Sequence, residues 1–541
     1  MRRHLAAAVC VAGFAGAAPA WAQKTEQDRF FVDKIDDEET EDDTLVQGSL
    51  TLSSFFYRET AGLSELTPGG VVNVEGASPA SRLFGDLRAQ VDARHVKGGR
   101  WDVRVDGRAR VATQAALDSP TIGATTPVQS GVYGGKEYEV RELYAVRSGE
   151  RTDVVVGRQY VLDLAAVKID GLRIDYASSD RWTWIAFAGL YPTRGSRSVL
   201  TDYPKKLDLA GAEVGGRVMP LSGGVGAAYR FARAYGAIGA VAILPMSDDN
   251  DTGTLERPRA FATAQGYWRN SPALDVYHYL VIDGESATGP GLTNLSLGVN
   301  WRPTPAMRVN AAINHVDTET LNVQAQALLE EPDPGPAVQN NVAVSRIASD
   351  SARVGLSVAL KQNRFEVSTS VGARRRPEIT LAQGGATDVT IAAAQQAEVA
   401  ISAVDRRSFK GLRIGAHFIA IFGIGQASVY RARTNIGRLT AGRELQDGKG
   451  EVEVEASYAA SDDASRGQVC TPANLDTCFG SSQSRTITLG GSFFYRVKDN
   501  WLLIGTASLG RQAITTVEVA GSTPQPAILM TSGFVRLSYR F

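Results

Sequence analysis

The chain ends in Gly533-Phe-Val-Arg-Leu-Ser-Tyr-Arg-Phe541, and the reading of this stretch decides the fold. Counting back in twos, Phe541, Tyr539, Leu537, Val535 and Gly533 share one face. Arg540, Ser538, Arg536 and Phe534 share the other. Successive side chains of a strand point to opposite sides, so the segment is a strand with an apolar, aromatic-footed face and a mostly polar face. A soluble sandwich could end in the same way. The remainder of the chain has to choose between the two.

The start of the chain sets the compartment. Arg2 and Arg3 form a charged n-region, Leu5 to Ala18 an apolar h-region, and Ala20-Trp21-Ala22 a cleavage site. Residues 1–22 are therefore expected to be a signal peptide, with the mature chain starting at Gln23. An h-region of about 14 residues is too short for a membrane anchor. Cys10 lies inside it without a small-residue lipobox, so lipidation is not expected. No later apolar run reaches the roughly 20 residues of a spanning helix.

In an exported chain, an alternating last strand with an aromatic end resembles the C-terminal signature of bacterial outer-membrane β-barrels. That resemblance implies that Tyr539 and Phe541 are the signal read by the barrel assembly machinery. Composition agrees with a barrel: 55 Gly, 17 Tyr and 18 Phe among 541 residues, with a mean hydropathy of -0.13. Lipid-facing and lumen-facing residues alternate in such proteins, so the average cancels. A net charge of -1 gives no ground for a nucleic-acid partner.

The clearest hairpin has Leu87, Ala89, Val91 and Ala93 opposed by Asp86, Arg88, Gln90, Asp92 and Arg94. After Lys97-Gly-Gly99 come Trp101, Val103, Val105, Gly107, Ala109 and Val111, opposed by Asp102, Arg104, Asp106, Arg108 and Arg110. Many neighbouring segments repeat this charged face, and a channel lumen houses it better than a soluble sheet does. Connections alternate between short ones, such as Lys97–Arg100, Ser148–Arg151, Pro220–Gly224 and Lys498–Asn500, and long ones, such as Glu59–Ser81, Asp317–Ser349 and Ser461–Ser484. Short periplasmic turns and long extracellular loops follow that rhythm. The expected fold is an all-β, antiparallel, up-and-down transmembrane barrel over residues 45–541, of about 22 strands (an even number from 18 to 22). Val225 to Leu244 reads as one strand or two, and Phe409 to Leu439 is equally open.

Residues 23–44, which include the acidic run Ile35–Asp43, are expected to be a disordered periplasmic tail. The alternative is a docking segment for a periplasmic export partner. Cys470 and Cys478 lie in the polar stretch Ser461–Ser484 and read as one extracellular loop disulfide; two free thiols are the alternative.

No histidine or cysteine spacing matches a metal motif, and no cofactor is expected. Asn314-His315 is the best candidate for a catalytic pair, although an interface histidine explains it as well, and no enzymatic activity is expected. The candidate contacts for cargo are the lumen arginines Arg88, Arg104, Arg108 and Arg110 and the acidic stripe Glu451, Glu453 and Glu455. Gly157-Arg158-Gln159 followed by Asp170-Gly171-Leu172-Arg173 resembles alginate-export-type porins, in which a strand ending G-R-Q precedes one starting D-G-x-R. The resemblance implies a conduit for an anionic polysaccharide, with Arg158, Gln159 and Arg173 at its mouth. The resulting reading is an outer-membrane channel for polar solutes, whose partners are lipid and the assembly machinery. Its rivals are a sealed docking barrel and an outer-membrane hydrolase. One outcome follows directly: Cys470 and Cys478 should resist maleimide on intact cells until a reductant is added, and labelling without reductant would show free thiols.

Overall fold

The computed structural model describes residues 44–59, 65–67, 70–72, 81–114, 136–192, 203, 205–207, 213–217, 219–244, 258–285, 290–317, 348–361, 364–377, 379–381, 389–391, 393–409, 411–424, 433–446, 448–462, 481–518, 521–524 and 527–541. The signal peptide, the acidic tail up to residue 43, Cys470 and Cys478 lie outside the described residues.

The long strands begin with β1 (Leu45–Glu59), β2 (Ser81–Arg94), β3 (Trp101–Gln114), β4 (Lys136–Ser148), β5 (Thr152–Val161), β6 (Val167–Ala177) and β7 (Trp182–Leu190). They continue through β8 (Leu221–Phe231), β9 (Ala234–Leu244), β10 (Arg259–Ser271), β11 (Leu274–Glu285), β12 (Gly291–Thr304), β13 (Met307–Asp317), β14 (Ala348–Leu360) and β15 (Phe365–Arg376). The last are β16 (Ala394–Phe409), β17 (Leu412–Gly423), β18 (Arg433–Leu445), β19 (Gly450–Asp462), β20 (Ser481–Lys498), β21 (Trp501–Glu518) and β22 (Ile528–Arg540). Each pairs antiparallel with its sequence neighbours, and β22 pairs with β1 to close the ring. The main sheet holds 23 strands; one of them, Gly521–Pro524, is a short flap on β21, and the other 22 form the barrel.

The closing seam runs from Ser49 opposite Arg540 to Glu59 opposite Met530. Gly48 and Phe541 exchange both backbone bonds, at 2.9 and 3.2 Å. A Cβ on Gly48 would lie 2.8 Å from Cζ of the Phe541 ring, so the terminal ring rests on bare backbone of the first strand. Tyr539 stacks between Trp501 and Phe541, with ring centroids 4.7 and 6.0 Å away.

Alternation sorts the side chains as the sequence implies. Leu52, Val225, Ile313 and Leu439 stand 53–63% exposed on the outside, where lipid covers them. Trp101, Trp182, Phe231, Trp268, Trp301 and Trp501 are exposed close to the short-turn rim. They form the aromatic girdle expected of a membrane interface.

The structure corrects the turns of one region. Val225 to Leu244 is not one strand, because β8 and β9 are joined by the two-residue turn Ala232-Arg233. Pro220–Gly224 is not a short turn; Pro220 precedes β8 at the long-loop rim, and Gly223 and Gly224 lie within the strand. The region from Phe409 to Leu439 contains the short turn between β16 and β17 and the long connection before β18.

The register can be tested. Leu297 is outward and 40% exposed, whereas Asn300 donates from Nδ2 to Asp275 Oδ1 at 2.8 Å inside the ring. Leu297→Arg should cost about 2–4 kcal/mol at mid-bilayer, and Asn300→Arg much less. Heat-modifiable folded protein should be lost only in the first variant; equal yields would contradict the assigned faces.

Candidate functional site

Confinement decides what the interior charges do. Arg88 forks onto Asp106, with Nε to Oδ1 at 2.9 Å and Nη2 to Oδ2 at 2.6 Å, and Gln90 adds a third bond to the same carboxylate at 3.0 Å. Arg104 reaches Glu142 at 2.6 Å and Asp92 at 3.3 Å. Arg108 contacts Asp86 at 3.0 Å and Glu139 at 3.4 Å, and Arg110 contacts Asp86 at 2.8 Å. All four candidate arginines therefore sit in a ladder of carboxylates across β2, β3 and β4. Forked guanidinium–carboxylate pairs are short and directional, and they fix these side chains to the wall.

The glutamate stripe on β19 is countered in the same way. Arg413 contacts Glu451, and Glu453 at 2.6 Å; Arg438 contacts Glu455 at 2.6 Å and Glu453 at 3.8 Å. The stripe is visible in the sequence because its residues alternate within one strand. Its counter-charges are not, because they come from β17 and β18.

The connection between β5 and β6 turns into the barrel. Leu164 at its tip is fully buried, in a cluster with Val161, Ile169, Phe187, Val241 and Phe261. Its Cδ2 occupies the space that a Cβ on Gly226 or Gly239 would need, 2.5 and 2.4 Å away. Two facing glycines thus make a socket in the wall for one leucine. Polar bonds tie the same loop down. Arg173 bridges Asp163 at 2.9 Å and Asp175 at 2.7 Å. The Tyr235 hydroxyl donates to Asp163, and Gln265 Nε2 donates to the Leu162 carbonyl at 2.8 Å. Ala165 and Ala166 adopt positive φ of 58° and 53° at the turn, a conformation that costs a residue bearing a Cβ.

The G-R-Q and D-G-x-R segments anchor this loop. Gly157, at φ 124°, lies opposite Gly171, and a Cβ on Gly171 would fall 2.2 Å from the Ala188 carbonyl oxygen. Gly157 is likewise crowded by the Leu143 carbonyl oxygen of β4, 2.2 Å from a would-be Cβ, so the flanking strands leave no room for a side chain at either position. Next to them Arg158 forks onto Asp170 with both bonds at 2.6 Å, and the Tyr203 hydroxyl donates to the same carboxylate at 2.6 Å. Arg158 stands in register with the outward-facing Leu143 and is 2% exposed. Gln159 is buried as well and donates to the Val155 carbonyl at 3.3 Å. Both residues are committed to the wall. Arg173 is the member of the motif that reaches the loop.

His315 pairs with Asp350 at 2.6 Å and lies 3.1 Å from the Leu292 carbonyl, in register with Leu295 and Asp350 at the long-loop rim. Among the described residues, no group of three or more His, Cys, Asp or Glu side chains could hold a metal ion.

No protein-family model and no curated protein matches the chain. Among solved structures it is similar to Acinetobacter baumannii OccAB1 (10% identity, 92% of this chain and 97% of that one, TM-score 0.39). It is also similar to the Vibrio cholerae outer-membrane protein OmpT (9% identity, 92% and 100%, TM-score 0.30). A third is a bacterial polysaccharide outer-membrane secretin (12% identity, 66% and 98%, TM-score 0.31). The protein is an outer-membrane β-barrel. The closed ring, the apolar outer band and the girdle are the features that place it there.

The fork on Asp170 gives a stability test. Asp170→Ala leaves the Arg158 guanidinium buried without its carboxylate, at a cost of about 3–5 kcal/mol. The urea midpoint of the folded barrel in lipid vesicles should fall accordingly; an unchanged midpoint would show that the pair contributes little.

Proposed function

We propose that the protein is a channel for polar solutes, narrowed by the Leu162–Ala166 loop. The observation that carries this reading is the socketed loop inside a wide ring whose inner face is polar and ion-paired. A ring of 22 strands is wide enough to hold folded segments within its lumen. A loop that fills part of such a lumen sets the passage, and mobile solute meets paired charges and hydroxyl groups on the remaining wall.

The specific form of the proposal is an export conduit for an anionic or polar polysaccharide. It is supported by the resemblance of the G-R-Q and D-G-x-R segments to alginate-export-type porins. In that form the acidic residues of 23–44 would meet a periplasmic partner. Paired rather than open arginines suit a sliding chain, because each contact is weak and exchangeable.

Purified protein in planar bilayers should show discrete conducting steps. Leu164→Asp places a charge in the apolar socket, should expel the loop and should raise the step size. A wild-type barrel that folds and never conducts would overturn the channel reading in favour of a sealed docking barrel. Unchanged steps in Leu164→Asp would show that the loop does not set the passage.

A further inference from the structure

The wall made by β20, β21, β22 and β1 is unlike the ion-paired walls on either side. Its inner face carries hydroxyl groups: Thr51 and Ser538 meet at 3.2 Å, and Ser508 and Ser532 at 2.6 Å. Arg536 donates from Nε to Ser538 Oγ at 3.1 Å. Among the described residues it has no carboxylate within ion-pair distance, whereas Arg88, two strands away, is forked onto Asp106. The outer edge of its fork is therefore available to the lumen.

Aromatic rings stand on this same inner face. Phe534 lies in register with Phe55 on β1 and with Thr506 on β21. Arg536 is two residues on along the strand, in register with Ser53. Phe494 on β20 has the same inward parity and is 41% exposed. The aromatic residues of the girdle face outward and are accounted for by the lipid interface. Phe494 is exposed, and Phe534 and Phe55 are partly buried on the same inner face; aromatic surface on the wall of a passage is where the apolar face of a ring-shaped solute can pack.

We propose that this wall is a binding station for pyranose rings, with Phe534 and Phe55 as the stacking platform and Arg536 as the polar anchor. The apolar C–H face of a sugar packs on an aromatic ring. Its hydroxyls bond to serine and threonine hydroxyl groups, which can donate or accept. A guanidinium fork takes either a vicinal pair of hydroxyls or a carboxylate. The station depends on the channel reading only for access to the lumen, and its test separates the two.

Saturation-transfer NMR on the detergent-solubilised barrel should detect both maltotriose and trigalacturonate. Phe534→Leu keeps the apolar volume and removes the ring face. It should weaken both probes by about tenfold, the size of one lost stacking contact. Arg536→Gln should weaken trigalacturonate more than maltotriose if the fork takes the carboxylate, and both alike if it takes hydroxyls; either result supports the station. The outward control Phe493→Leu should change nothing, and a heat-shift gel confirms that each variant is folded. Absence of transfer to either sugar, or an unchanged Phe534→Leu, overturns the station. Binding without bilayer conductance would uphold the station and remove the channel. Conductance without binding would remove the station alone.

Discussion

Everything in this molecule follows from the need to satisfy backbone hydrogen bonds where no water is present. In hydrocarbon, an open sheet edge would leave a row of unpaired N–H and C=O groups, each costing several kcal/mol. The β22–β1 seam removes that edge. Because both strands start from connected antiparallel hairpins, the seam is antiparallel only for an even strand number, and 22 satisfies it. The bonds between Gly48 and Phe541 complete the seam at the last residue of the chain.

Closure creates an interior, and the interior then imposes its own chemistry. A charged row that would be solvated on an open sheet is here crowded against its neighbours in a confined space. Arg88, Arg104, Arg108 and Arg110 find carboxylates on adjacent strands, and the same happens to Glu451, Glu453 and Glu455. The inward loop uses both kinds of bonding, with Leu164 in an apolar socket and Arg173 clasping Asp163. One wall remains hydroxylated and aromatic, with Arg536 and Arg540 on its inner face. The lumen is therefore uneven: ion pairs line the walls on both sides of this one, and the loop packs against β7 to β10.

Period-two alternation made the architecture legible. Leu87 to Ala93 and Trp101 to Val111 point outward, and the opposing charges point inward, as their spacing implies. Where the pattern was weak, so was the reading. The run from Gly223 to Leu244 is rich in glycine and alanine, and its turn at Ala232-Arg233 contains neither glycine nor proline. Gly223 and Gly224 carried a turn signal but belong to a strand, where Gly224 makes room for the Phe187 ring 2.5 Å from a would-be Cβ. The inward loop left only a faint trace in its flanking glycines.

By itself the sequence determined the barrel, its faces and its closing strand, because those depend on alternation within each strand and on the residues at its ends. Only the tertiary structure decided which charges are engaged. Ion pairing joins side chains on different strands, and the placement that brings Arg413 on β17 to Glu453 on β19, across β18, is fixed by the ring as a whole. The same holds for the loop. Its place in the lumen depends on a socket at Gly226 and Gly239, some 60 to 75 residues further along the chain, and no local pattern encodes a partner at that distance.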